Sequence, residues 1–318
     1  MTKLTLKSVL LIFLFPFFSS TIFGQKVIEV TYERDRDGKG YIFECQNNSF
    51  INYTVTVTFS TLSNLSADVT LPYQMTVAPG KTRLFQLKQI SESMSPPSFN
   101  YSTSYRKGCE KTKTDTLFPY LLPISPNKST RPSELFNLSE RYGNASPPKD
   151  WYALAFKVAE GDTVFAARKG IVGELVSDKK TAGENLSYSR DVNYIEIQHE
   201  DCTTARYELF KENGIFVKEG DVVQAGQPLG VISSSNFASG NQVRFSVYYS
   251  FVEPIVKGGK KTDKNNYSAY VPVRFWVNNG IEKLEKNKEY TSEHPEVLII
   301  KEMTKKEKKR RIENAKKQ

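Results

Sequence analysis

Apolar and polar residues alternate without a break from Ile51 to Phe59, the period-two pattern of a strand with one buried face. Phe99 to Tyr105 alternates in the same way, and Pro79-Gly80 makes a turn ahead of a further strand at Thr82 to Leu87. Later in the chain, Tyr152–Phe156, Asn193–His199, Ala205–Phe210 and Tyr270–Val277 read as more strands. The pattern breaks at both ends. Val9 to Phe18 is an apolar run behind Lys3 and Lys7, and from Lys301 onward the chain is rich in Lys, Arg and Glu, with Met303 and Ile312 as isolated apolar residues.

These changes divide the chain. Met1 to Gly24 has the basic start, short apolar stretch and small-residue approach (Ser19 to Gly24) of a secretory signal peptide, residues 1–24. An uncleaved membrane anchor is the alternative, but the run is shorter than the ~20 residues a bilayer needs. The residue after the cleavage point is Gln25 and not Cys, and no second apolar stretch is long enough to span. The expected location is therefore secreted or periplasmic. Residues 25–108, short strands with Gly and Pro between them, predict an immunoglobulin-like β-sandwich. Residues 109–150 shift toward Pro, Ser, Asn and Lys and read as a linker or lead-in, with Leu117–Pro123 packing against one of the domains. Residues 151–285 predict a second β domain, and 286–318 a basic tail. The fold class expected is mainly β.

Charge changes this picture little. The formal net charge is +9. Residues 301–318 carry +6 of it and the leader two lysines, so the rest is near +1 and a broad nucleic-acid surface is excluded. The tail suits a solvated charged helix or a disordered segment; its functional alternative is contact with an anionic surface, lipid head groups or acidic glycan. In an oxidising compartment Cys45 and Cys109, near the start and end of the N-terminal strand series, are expected to form a disulfide. Cys202 is then left as a free buried thiol or an intermolecular partner.

The second domain carries the chemistry. It reads Tyr152-Ala153-Leu154-Ala155-Phe156, then Gly161 to Val172, Asn193 to His199, and Ala205-Arg206-Tyr207-Glu208-Leu209-Phe210. Val217 to Val223, Gly226-Gln227-Pro228-Leu229-Gly230 and Ser239-Gly240-Asn241-Gln242-Val243-Arg244-Phe245 follow. In order and spacing this resembles the lysostaphin/LytM-type peptidoglycan metalloendopeptidases (duplicated hybrid motif), in a degenerate form of the type secreted by Bacteroidetes. The resemblance implies an antiparallel β-roll and a catalytic zinc held by a His, an Asp and the second His of a His-x-His pair. It also implies two further imidazoles, in that pair and in a Tyr-x-His-Leu segment, to orient and deprotonate the water.

On that resemblance, the positions that carry the chemistry are occupied by Ala155, Leu209, Gln242 and Arg244. Zinc needs neutral imidazoles or carboxylates as ligands, and an arginine stays charged. The first His would fall near Asn144 to Lys149, yet no histidine precedes His199, and His294 is the other of only two. His199, Glu200, Asp201 and Cys202 form the best alternative ligand cluster, but adjacent side chains diverge. The expectation is thus no catalytic residue and no metal: zinc is the family's cofactor, but its ligands are absent. The old groove would be lined by Tyr207, Glu208, Gln242 and Arg244, with Gln242 and Arg244 on one strand face.

The function expected is a non-catalytic module that binds peptidoglycan or regulates a wall hydrolase. A zinc endopeptidase with a non-standard site and a structural surface protein are the alternatives.

Overall fold

The computed structural model describes residues 26–93, 95–137, 148, 150–180, 183–189, 191–257 and 260–316, without the side chains of 252–267. The expected signal peptide and most of the expected first-ligand region lie outside these residues. The described chain is mainly β.

Seven strands form the first unit: β1 (Ile28–Arg34), β2 (Gly40–Asn47), β3 (Tyr53–Ser63), β4 (Leu65–Ala67), β5 (Tyr73–Val77), β6 (Gly80–Gln89) and β7 (Ser98–Lys107). They make two antiparallel sheets, ordered β1-β2-β6-β4 and β5-β3-β7. The alternation on β3 does what it predicts: Tyr53, Val55 and Val57 are buried between the sheets. Phe43 of the first sheet meets Phe59 and Tyr101 of the second at ring separations of 5.6 and 5.1 Å, which closes a sandwich. On β7 the alternation only half succeeds. Phe99 and Tyr101 pack on the core, but Tyr105 lies beyond it and is half exposed.

The second unit begins with three short strands, β8 (Pro119–Tyr120), β9 (Ser129–Thr130) and β10 (Pro132–Glu134). Its main run is β11 (Ala153–Lys157), β12 (Thr163–Phe165), β13 (Gly170–Val176), β14 (Asn193–Gln198), β15 (Thr204–Ile215), β16 (Val222–Val223), β17 (Pro228–Ile232), β18 (Gln242–Lys257) and β19 (Lys260–Tyr270). The sheet order is β10-β11-β18-β15-β14-β13-β16, with β12 and β17 folded against it and β19 paired along the far half of β18. β20 (Arg274–Val277), β21 (Gly280–Glu282) and β22 (Tyr290–Thr291) follow, then α1 (Glu296–Ile299) and α2 (Lys305–Ala315). Leu117–Pro123 packs into this unit: Phe118, Tyr120 and Leu122 join its core.

The two units touch directly. Ile51 nests against Gly173, where a Cβ would come within 2.8 Å of the Ile51 side chain and force it to shift. Asn52 and Gln198 exchange backbone and amide hydrogen bonds, the shorter at 2.8 Å. Lys107, at the end of β7, ion-pairs with Glu174 of β13 and with Glu196 of β14, the latter at 2.7 Å.

The disulfide is not the expected one. Cys109 bonds Cys202, with Cα atoms 5.7 Å apart, and Cys45 is free. The reason is strand direction. Cys45 points into the sandwich core, fully buried, and that burial pushes its thiol up to about 11, whereas Cys109 emerges beyond β7 beside the loop that follows β14.

The basic tail also takes a definite place. Arg168 grips Glu302 through Nε and Nη2 at 2.8–3.2 Å, and Lys169 and Arg311 pair with Glu307 and Glu296, each at 2.7 Å. The α2 helix is therefore seated on the body and solvated on its other side.

Candidate functional site

Strand parity decides which side chains reach the groove. On β15 and β18 the odd positions Ala205, Tyr207, Val243, Phe245 and Val247 enter the core. The even positions Arg206, Glu208, Arg244 and Ser246 take the opposite face, together with Ala153 and Ala155 from β11. The register brings these residues level: Arg244 lies between Ala155 on one neighbour and Glu208 on the other.

On this face is a cleft of about 430 Å³. Its floor carries Arg206, Glu208, Arg244 and Ser246, and its walls include Trp151, Tyr270, Phe136 and Tyr188. Trp151 is locked in place, its indole N–H donating to the Leu135 carbonyl at 2.7 Å and its ring 4.5 Å from that of Tyr270. Phe136, by contrast, is 73% exposed at the rim.

The charges on the floor are unequally paired. Arg206 donates from Nε to Glu208 at 2.6 Å and from Nη1 to Glu196 at 2.8 Å, and its Cζ sits over the Tyr194 ring, 3.7 Å from the centroid. Burial alone would weaken its charge, but Glu208 and Glu196 more than offset this and raise its pKa. Tyr248 adds a hydrogen bond to Glu196, and Lys107 reaches the same carboxylate from the sandwich. Arg244 has no such partner. Among the described residues its guanidinium makes no ion pair, and its Nε is buried without a hydrogen bond. Its neighbour is the Phe237 ring, 4.9 Å away. Burial pushes its pKa down, with Glu208 pulling the other way.

Of the four expected groove residues, the structure brings Glu208 and Arg244 into the cleft. Two depart from expectation. Tyr207 is fully buried on the core side, and its hydroxyl accepts from the Ala167 amide at 2.9 Å. Gln242 shares the parity of Arg244 but is buried beyond the cleft lining. Arg206, missed in the sequence, is the central charge of the floor. Its signal was available: opposite charges two apart on one strand, Arg206 and Glu208, must share a face.

Leu209 explains the shape of one end. Asn193 pairs with Phe210 and Tyr194 with Glu208, so Leu209 is the extra residue of a β-bulge. It has φ +80°, a conformation that branched and bulky residues avoid. The bulge turns its side chain into an apolar cluster with Val192, Phe237 and Leu186. Where the resemblance places an imidazole, the chain packs hydrocarbon.

These side chains do not fit a zinc ion. Ala155 offers a methyl group, Leu209 an apolar branch and Arg244 a fixed positive charge. Among the described residues, no group of three or more His, Cys, Asp or Glu is placed to hold a metal. Both histidines are used elsewhere. His199 is buried, its Nδ1–H donating to the Lys169 carbonyl at 2.7 Å, and the His294 Nε2–H donates to the Leu122 carbonyl at 3.2 Å. Neither lines the cleft. Asp201, from the alternative ligand cluster, is spent on Arg168 at 2.8 Å, and Cys202 on the disulfide.

The strand order and the cleft on the β11-β18-β15 face define an antiparallel β domain with one lined groove. Residues 149–263 match the model of peptidase family M23. Among solved structures, a deep-sea M23 metalloprotease, pseudoalterin, is 16% identical, with a TM-score of 0.30 over 48% of this chain and 98% of its own. Csd3 of Helicobacter pylori is 12% identical, with a TM-score of 0.28 over 90% of this chain and 83% of its own. A chain of the SpoIIQ–SpoIIIAH pore-forming complex is 19% identical, with a TM-score of 0.27 over 42% of this chain and 85% of its own. No curated protein matches the chain.

Proposed function

We propose that this chain is a secreted cell-envelope protein whose M23 domain binds rather than cuts. Its cleft takes a carboxylate-bearing segment, either a stem peptide of peptidoglycan or an acidic stretch of a wall hydrolase. One observation carries the reading: among the described residues Arg244 stands in the cleft without an ion pair, while the adjacent carboxylate, Glu208, is held by Arg206. A vestigial site plugged by an internal ion pair would have used Glu208 for Arg244. A guanidinium fork pairs bidentately with a carboxylate, and stem peptides carry free carboxylates. The aromatic walls give the rest of such a ligand an apolar surface to lie against.

The same floor argues against hydrolysis. A general base must be free to take a proton at the reacting centre. Glu208 is instead committed to Arg206, and no imidazole lines the cleft. The seven-strand unit, the lead-in and the basic tail then act as positioning parts around a binding domain.

The test is calorimetric titration of purified peptidoglycan fragments into the wild type and Arg244→Ala. A charge-assisted pair is worth ~1.5–3 kcal/mol, so the variant is expected to bind roughly 10- to 100-fold more weakly with its fold intact. Equal affinity of a folded Arg244→Ala protein, or no binding of any fragment or wall hydrolase by the wild type, would remove Arg244 as anchor.

A further inference from the structure

Helix α2 separates its charges by face. The acids that precede or open it turn inward: Glu302 to Arg168, and Glu307 to Lys169 and to the Gln224 amide. Arg311 also faces the body, bound to Glu296 of α1 through two hydrogen bonds of 2.7 and 2.8 Å. At 3.6 residues per turn, Lys305, Lys308, Lys309, Ile312 and Lys316 fall within an arc of about 100° on the other side. Among the described residues, Lys305, Lys308 and Lys316 make no ion pair. Lys309 meets Glu313 only at 3.9 Å, with both side chains largely in solvent. Ile312, in the middle of these lysines, is 57% exposed.

Ile312 borders the groove that α2 forms with Val222, Gln224 and Glu296, and more than half of it stays exposed beside the lysines. A soluble polyanion would engage the lysines and leave Ile312 in water. An anionic lipid surface satisfies both, taking the lysines at the level of the head groups and the apolar side chain just beneath them. The capping box of Thr304 and Glu307 and three ion pairs, Glu302 to Arg168, Glu307 to Lys169 and Arg311 to Glu296, hold this face at a fixed orientation. From this arrangement we infer that α2 docks the protein onto a membrane leaflet bearing anionic lipid, presenting the stripe Lys305–Lys309–Ile312–Lys316.

The experiment is co-sedimentation of the full chain with vesicles of phosphatidylcholine alone or with about one-third phosphatidylglycerol. The quantity read is the difference between the two, because any contribution of the apolar N-terminal run is common to both. The wild type is expected to prefer the anionic vesicles and to lose that preference in high salt. A surface lysine near such a membrane is worth a factor of roughly five in affinity, so Lys305→Gln/Lys309→Gln/Lys316→Gln is expected to weaken the anionic binding by roughly 100-fold. Ile312→Ser is expected to weaken it several-fold at unchanged salt dependence. All these side chains are exposed, and circular dichroism checks that the helix persists. Three results would overturn the inference: equal binding to both vesicles, wild-type binding by the triple variant, or an Ile312→Ser protein indistinguishable from wild type. The last, with full displacement by dextran sulfate, would assign the stripe to a soluble polyanion instead.

Discussion

His199 is held neutral by its surroundings: burial first, and then the charge of Arg168, push its pKa well below the usual histidine range. Burial lowers His294 in the same direction. Because the folded state resists protonation, the unfolded chain takes up protons first as pH falls through ~6.5. The stabilisation is therefore complete above that pH and is lost as pH drops below it, by at most ~1.4 kcal/mol per pH unit for each histidine. Urea unfolding between pH 7.5 and 5 is expected to show falling stability, with a shallower fall in His199→Gln. Parallel slopes for the two proteins would show that His199 does not titrate on unfolding. That Ala155, Leu209 and Arg244 carry no donor for a metal was legible at this scale, because it follows from residue type whatever their placement. The occupancy of the groove was less so. Tyr207 and Glu208 are adjacent and cannot both face it, and period-two counting along Ala205–Leu209 separates them. What counting could not supply is the partner of each charge: that Glu208 goes to Arg206 and leaves Arg244 alone depends on side-chain reach between strands.

At the level of elements, β3 was visible because an alternating run with one buried face has a single period to obey, and β6 because the Pro79-Gly80 turn marks its start. The α2 start was equally open to reading, since Thr304 and Glu307 have the spacing of a capping box. Its seating was not, because Arg168 and Glu302 are joined only by the fold. The same limit misdirected the disulfide. Cys45 and Cys109 flank one strand series, but the strand carrying Cys45 faces it inward, and the loop holding Cys202 comes to Cys109 from the other unit. The bond spans 93 residues and crosses between units, so its removal frees a long loop in the unfolded chain. Cys109→Ser/Cys202→Ser is expected to lose about 2–4 kcal/mol of stability. Non-reducing peptide mapping is expected to find the 109–202 link with Cys45 as a thiol. A Cys45–Cys109 peptide, or three free thiols, would contradict this.

For the whole molecule, the sandwich and the peptidase-type unit are joined by the disulfide, the Ile51–Gly173 contact and the Lys107 bridge to Glu174 and Glu196. The bridge ends on Glu196, the carboxylate that Arg206 also holds, so the sandwich helps fix the charge pattern of the cleft floor. No helix among the described residues is long and apolar enough to cross a membrane, and the lipid contact inferred for α2 is a surface contact. The central proposal is that this cleft carries a fixed cation, Arg244, where the peptidases it resembles hold a metal. Elemental analysis of the purified, dialysed protein tests it most directly. The account predicts zinc far below one equivalent per chain, unchanged in Arg244→Ala. Near-equimolar zinc that survives dialysis, with peptidoglycan cleavage abolished by a chelator, would contradict it.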